Sequence, residues 1–185
     1  MTGEQGITAL RRTYRDLVTR LVVQDLEHPE PEEIVEDVTR VLSDLAAAVF
    51  QAAYKIAEVE QGERLRARIA IVAMGKCGAR ELNYVSDVDV IFAYAPREGE
   101  ELDDEVRTQA TDLATRVTEL ISGGAHEPAL WEIDTALRPE GKSGALVRTI
   151  DEFVQYYRKV AHNWEFQALL KARPVSYTHL TLPTT

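Results

Sequence analysis

The order of hydrophobic patterns predicts an α+β fold, and three observations carry the prediction. About the first sixty residues place apolar side chains at helical spacing. At Arg68 the pattern changes to short apolar runs punctuated by glycine, and from Trp131 it alternates residue by residue as a half-buried strand does.

Taken in order, Leu10, Leu17, Val18 and Leu21 fall near a 3.6-residue period and mark a first helix. The acidic stretch 25–33, with Pro29 and Pro31, interrupts it, because proline lacks the N–H that a helix interior requires. From Glu32, the positions Ile34, Val38, Val41, Leu42, Leu45, Val49, Ala52, Ala53 and Ile56 keep one face of a long helix running to about Glu60. Residues 69–74 form a short apolar run closed by Gly75 and Gly78, the pattern of a buried strand entering a tight turn. A second strand follows at 87–94, closed by Pro96 and the acidic tract 98–105. Leu102, Val106, Leu113, Val117 and Leu120 mark a helix that Gly123 and Gly124 end. In 131–137 the side chains of Trp131, Ile133, Thr135 and Leu137 share one side and Glu132, Asp134 and Ala136 the other, which predicts a third strand. Beyond the loop 139–144, helices resume around 153–157 and 164–171 and place Tyr156, Tyr157, Trp164 and Phe166 in the core.

The chain therefore divides into a helical segment, 1–66, a domain at 67–175 that is incomplete on its C-terminal side, and a tail, 176–185. The tail has no formal charge in a chain that is 28% charged, and it reads as a change of frame or an assembly scar. It is left out of the fold, and the native frame is expected to continue past Val175.

Composition narrows the function. The formal charge of −10 argues against a nucleic-acid binder working by phosphate neutralisation, which needs a basic face. Small molecules with their metals, or another protein, are the expected partners. A single cysteine, Cys77, fits a reducing compartment, and no signal peptide or membrane-length apolar run is present, so a cytoplasmic protein is expected. His28, His126, His162 and His179 have no ligand-like spacing, so zinc is not indicated.

The chemistry concentrates in two stretches and one outlying residue. Period-two alternation puts Asp87 and Asp89 on one face of their strand and Val88 and Val90 on the other. Two carboxylates so placed call for positive charge between them, and a hard cation with oxygen ligands supplies it. Asp134, on a strand able to lie alongside, completes a three-carboxylate set for one or two Mg²⁺ ions, with Glu132 a weaker candidate. Gly75, Lys76 and Gly78 form a turn whose backbone N–H groups and ammonium suit phosphate oxygens. A Walker motif is excluded, since Ala70 stands where its first glycine belongs and Cys77 where Ser or Thr is required. Cys77 reads as a small filler of the turn rather than a nucleophile. Among five later cations, Arg138, Lys142, Arg148, Lys171 and Arg173, the first has the best claim to a phosphate because it follows the Asp134 strand directly.

The wording of these stretches resembles a known family. Met74-Gly75-Lys76-Cys77-Gly78, then Glu81-Leu82-Asn83-Tyr84-Val85-Ser86-Asp87-Val88-Asp89, then Asp134-Thr135-Ala136-Leu137-Arg138-Pro139-Glu140-Gly141 and Trp164-Glu165-Phe166-Gln167-Ala168-Leu169, closely resemble the bacterial bifunctional glutamine synthetase adenylyltransferase/adenylyl-removing enzymes. The resemblance covers nearly all of 68–175 and, more loosely, the leading helices. It implies the nucleotidyltransferase fold shared with DNA polymerase β, a small mixed sheet flanked by helices, here with an N-terminal helical extension. It implies that Asp87, Asp89 and Asp134 are the catalytic, Mg²⁺-binding carboxylates, and that Gly75 and Ser86 lie on the phosphate side of an ATP or ADP site. It also implies glutamine synthetase as protein substrate and, in full-length members, the signalling protein PII as partner. Such enzymes carry one domain that attaches AMP to a tyrosine and one that removes it by phosphorolysis. The Met-Gly-Lys and Glu-Leu-Asn wording looks more like the removing, N-terminal copy. Cys77 and Ala79 depart from the family's frequent Leu and Gly. A non-catalytic nucleotide- or protein-binding module of the same fold is the alternative, and a transferase acting on a small acceptor such as an antibiotic is a weaker one.

Overall fold

The proline that breaks the first helical pattern also starts the second. In the computed structural model, which describes residues 3–176, α1 (Gly3–Glu27) is followed by α2 (Pro31–Gln61), whose first residue is Pro31. Proline's missing N–H costs nothing there, and Glu32 and Glu33 complement the positive helix end. The apolar stripe of α2 is buried at Val38, Leu42, Ala46, Val49, Phe50, Ala53 and Tyr54. Two predicted stripe positions, Leu17 on α1 and Val41 on α2, face solvent, because each lies just off the contact line of the α1–α2 hairpin.

The later elements are β1 (Ala67–Ala73), α3 (Gly75–Ala79), β2 (Val88–Pro96), α4 (Asp104–Ser122), β3 (Ile133–Asp134), β4 (Val147–Thr149), α5 (Ile150–Lys159), α6 (Asn163–Leu169) and β5 (Arg173–Ser176). The sheet is mixed. β1 pairs antiparallel with β2 on one side and β5 on the other, while the far edge of β2 pairs parallel with both β3 and β4. Ile69 and Ile71 of β1, with Val88, Val90, Phe92 and Tyr94 of β2, turn to one face and join the core cluster with α2 and α4. Alternation then leaves Asp89 on the opposite face.

Several sequence expectations change here. The tight turn after β1 is the short helix α3, and Pro96 lies inside β2, where it sits opposite Ala67 as the last residue of the strand. Leu102 precedes α4 and is exposed; Asp103 caps that helix by accepting from Val106 N at 2.8 Å. The third strand is two residues long, not seven, since Asp134 Oδ1 accepts from Ala136 N at 2.7 Å and turns the chain out of the sheet. Trp164 and Phe166 are 52% and 45% exposed rather than core, whereas Tyr156 is buried. β4 and β5 are too short to give a periodic signal. β5 takes in Ser176, the first residue of the stretch set aside as a tail; residues 177–185 of that stretch lie outside the described residues. No helix among the described residues is long and apolar enough to cross a membrane.

One polar side chain ties the leading helices to the domain. Arg11 of α1 is fully buried, and its guanidinium donates to the carbonyls of Leu120 (2.9 Å), Gly123 (2.8 Å) and Glu127 (2.6 Å). These are the free carbonyls at and just beyond the C-terminus of α4, where a cation is favoured by the helix dipole. Replacing it orphans several buried acceptors. Arg11→Ala is expected to lower the unfolding free energy by about 3 kcal/mol in urea titration, with Arg11→Lys recovering little because an ammonium cannot reach three divergent carbonyls.

Candidate active site

The parallel pairing of β2 with β3 sets Asp89 directly across from Asp134 and Val88 from Ile133. Val88 and Val90 are buried in the core, while Asp87 is exposed at the mouth of the strand and Asp89 is half-buried behind it. The strand alternation predicted for this pair is therefore present. Burial, first, and then the charges of Asp87 and Asp134 push the Asp89 carboxyl above its ordinary pKa, with Lys76 pulling the other way.

Two clefts meet at this ridge. One, of about 370 Å³, is lined by Asp87, Glu132, Asp134, Thr135, Arg138 and Lys142. The other, of about 580 Å³, runs from α1 to the loop before β2 and is lined by Tyr14, Lys76, Tyr84, Ser86, Leu130 and Trp131 among others; it shares Asp87 and Glu132 with the first. Tyr14 and Trp131 form an edge-on ring pair at 4.9 Å on its floor.

The glycines do different work from one another. Gly75 has φ +51°, a conformation that favours glycine, and a Cβ there would stand 2.5 Å from Asp89 Oδ2 and displace this carboxylate. Gly78 is buried, and a Cβ on it would lie 2.0 Å from the Lys171 carbonyl oxygen, so its smallness serves packing against the chain entering β5 and not an open phosphate cradle. Arg173 braces the same turn by donating to Cys77 O (2.9 Å) and Gly78 O (3.2 Å). Cys77 is buried, and burial above all pushes its thiol up to about 11, which keeps it protonated and agrees with a filler. Ser86 Oγ donates to the Asp87 carbonyl at 2.9 Å on the exposed lip.

Arg138 is both cleft wall and loop clasp. It lines the polar cleft but is buried, and its guanidinium donates to Thr135 O (2.8 Å), Thr135 Oγ1 (2.7 Å), Lys142 O (2.9 Å) and Gly144 O (3.1 Å). It closes the loop that forms this wall of the cleft. Arg148 pairs with Glu140 at 2.6 Å, Lys171 with Glu81 at 2.7 Å, and Arg173 holds α3. Lys142, like Arg138, has no ion pair among the described residues, and it lines the cleft with Asp87 and Asp134. Sequence spacing gave no reason to prefer it, because the choice depends on which cations the fold occupies elsewhere.

The ridge offers carboxylate oxygens, the donor type that a hard cation takes; they repel one another and are offset at Asp89 by Lys76. Among the described residues no three acidic, imidazole or thiol side chains are gathered closely enough to grip an ion as they stand, and one Asp134 oxygen is turned to Ala136 N.

This crowding has a measurable cost. Because the Asp89 pKa is raised in the fold, the folded chain binds the extra proton, and stability falls as the pH rises from the ordinary carboxylate value through the raised one. Asp89→Asn is expected to raise the melting temperature of the metal-free chain at pH 7. That gain should shrink as the pH is lowered toward 4, measured by circular dichroism across the pH series.

Comparison with known proteins agrees with the resemblance. The family model described as glutamate-ammonia ligase adenylyltransferase matches residues 1–181. The chain is 46% identical over 167 residues to a protein of Cutibacterium acnes named bifunctional glutamine synthetase adenylyltransferase/adenylyl-removing enzyme, covering 90% of this chain and 17% of the relative. It is 44% identical over 176 residues to the protein of that name from Bifidobacterium longum, covering 93% of this chain and 16% of the relative. Against that of Leifsonia xyli it is 44% identical over 187 residues, covering 94% and 18%. The chain thus spans between 16% and 18% of the length of these curated relatives. With a match over nearly its whole length, and with the carboxylate ridge at the same stretch that carried the resemblance, the chain belongs to the glutamate-ammonia ligase adenylyltransferase family.

Proposed function

We propose that this chain is a nucleotidyltransferase domain of DNA polymerase β-like fold that acts on glutamine synthetase. Its first activity is phosphorolytic removal of AMP from an adenylylated tyrosine, and the same site is suited to a second transfer, attachment of AMP from ATP. The observation that carries the reading is the β2–β3 register, which sets Asp89 across from Asp134 with Asp87 at the mouth of the same strand.

In the removing direction, an oxygen of inorganic phosphate attacks the phosphorus of the AMP–tyrosine bond. The tyrosine oxygen leaves and takes up a proton, and ADP is released. In the attaching direction the tyrosine hydroxyl attacks the α-phosphorus of ATP and pyrophosphate leaves. Asp87, Asp89 and Asp134 would hold Mg²⁺, which supplies charge neutralisation at the transferring phosphoryl group. Lys142 on one side of the ridge and Lys76 on the other bring positive charge to both clefts, so that an anion can approach carboxylates that would otherwise repel it. Gly75 keeps the backbone close to Asp89, and Thr135 places a hydroxyl in the polar cleft. The chain's acidity and the few cations at the site suit a small anion and a protein substrate better than a polynucleotide.

The alternative is a module that binds nucleotide or protein without turnover. It is favoured by one observation, that the three carboxylates are not drawn together as they stand.

The paired assay separates the two. With Mg²⁺, adenylylated glutamine synthetase and phosphate, the chain is expected to release ADP, and with ATP and unmodified glutamine synthetase to label the protein. Asp87→Asn should lower the release rate by about 100-fold or more. Lys142→Ala should raise the KM for phosphate by about tenfold with a smaller change in kcat. Nucleotide binding without any release would select the alternative.

A further inference from the structure

Glu165 of α6 is 3% exposed, and among the described residues no cation pairs with it. A buried carboxylate without a counter-charge is costly unless hydrogen bonds hold it. Two do. Its Oε2 accepts from His162 N at 2.7 Å, and its Oε1 accepts from the hydroxyl of Tyr156 at 2.8 Å. The Tyr156 oxygen in turn accepts from the backbone N–H of Glu140 at 3.3 Å. This chain of bonds ends on an unusual piece of backbone: Glu140 has φ +66° and Gly141 φ +60°, two successive left-handed residues of which the first is not glycine. Such a pair persists only where its surroundings hold it. Arg148 of β4 supplies the second hold, pairing with the Glu140 carboxylate at 2.6 Å while its guanidinium lies over the Tyr156 ring at 5.9 Å. The next residue after the left-handed pair is Lys142.

We propose that Glu165 and Tyr156 are positioning residues: through the relay Glu165–Tyr156–Glu140 N–H, the last helix of the domain fixes the left-handed turn that presents Lys142 to the carboxylate cleft. The relay explains why a carboxylate is kept inside α6, and why the Tyr156 hydroxyl is placed to donate and accept at once. Its bearing on phosphate rests on the function proposed above; its hold on the turn does not.

Tyr156→Phe removes one oxygen and leaves the ring under Arg148, so the fold is retained; Glu165→Gln keeps the volume and one acceptor. In the full chain, limited trypsin digestion followed by mass spectrometry reads the turn directly through cleavage after Lys142, since Arg138 precedes proline and is not cut. Cleavage after the exposed Lys171 is the internal reference. Tyr156→Phe is expected to speed cleavage after Lys142 by about fivefold relative to the reference, and Glu165→Gln by less, because glutamine still accepts from Tyr156. Equilibrium dialysis with radiolabelled inorganic phosphate and Mg²⁺ gives the second readout. Affinity should fall several-fold in Tyr156→Phe and in Lys142→Ala, and the double variant should bind no more weakly than Lys142→Ala alone, the non-additivity of two groups acting through one contact. Unchanged cleavage after Lys142 in Tyr156→Phe, or additive losses in the double variant, would overturn the relay. A wild-type chain that binds no phosphate, with cleavage behaving as expected, would refute the function reading and leave the relay standing.

Discussion

Everything at the candidate site follows from how one strand edge is shared. β2 offers a single outer edge, and two short strands divide it: β3 pairs with Val88 and Asp89, and β4 pairs with Phe92, Ala93 and Tyr94. Both run parallel to β2, and between them the chain leaves the edge after Asp134 and rejoins it at Val147. The excursion lines the polar cleft through Thr135, Arg138 and Lys142. The polar cleft, the placement of Lys142 and the inward clasp of Arg138 are consequences of that detour. A single seven-residue strand at 131–137, as the alternation alone would suggest, would have covered the edge and left no cleft.

The second theme is charge placed against its own interest. Asp87, Asp89 and Asp134 all stand toward one end of a sheet whose opposite face packs into the hydrophobic core, and the backbone passes Asp89 closely at Gly75, whose positive φ favours glycine. The energetic compensation lies elsewhere: in the α2–α4 core, in the Asp103 cap of α4, and in Arg11, which joins α1 to the far end of α4. Stability and chemistry are thus carried by different elements. The helices that sequence sets apart as residues 1–66 share the core with the sheet, and α1 also forms a wall of the larger cleft through Tyr14 and Val18.

Much of this is legible in the sequence. The long stripe of α2, the β1 run and the alternation that separates Asp87 and Asp89 from Val88 and Val90 depend only on local periodicity, and they stand as read. The clasp that Arg138 makes on its own loop is not legible there, because it depends on where carbonyls 135, 142 and 144 come to rest. Trp164 and Phe166 failed for a related reason: helical spacing shows which residues share a face, but not whether anything packs against it.

The sequence by itself determined the element types wherever a period of two or 3.6 ran long enough to register, and it determined which residue types were available for chemistry. Only the tertiary structure decided the two- to four-residue strands β3, β4 and β5, the pairing of Asp89 with Asp134, and which of the later cations are held in ion pairs and which line the cleft. Periodicity is a property of neighbours along the chain, whereas register, clasp and cleft arise between segments dozens of residues apart. Their energies depend on partners that no local window contains.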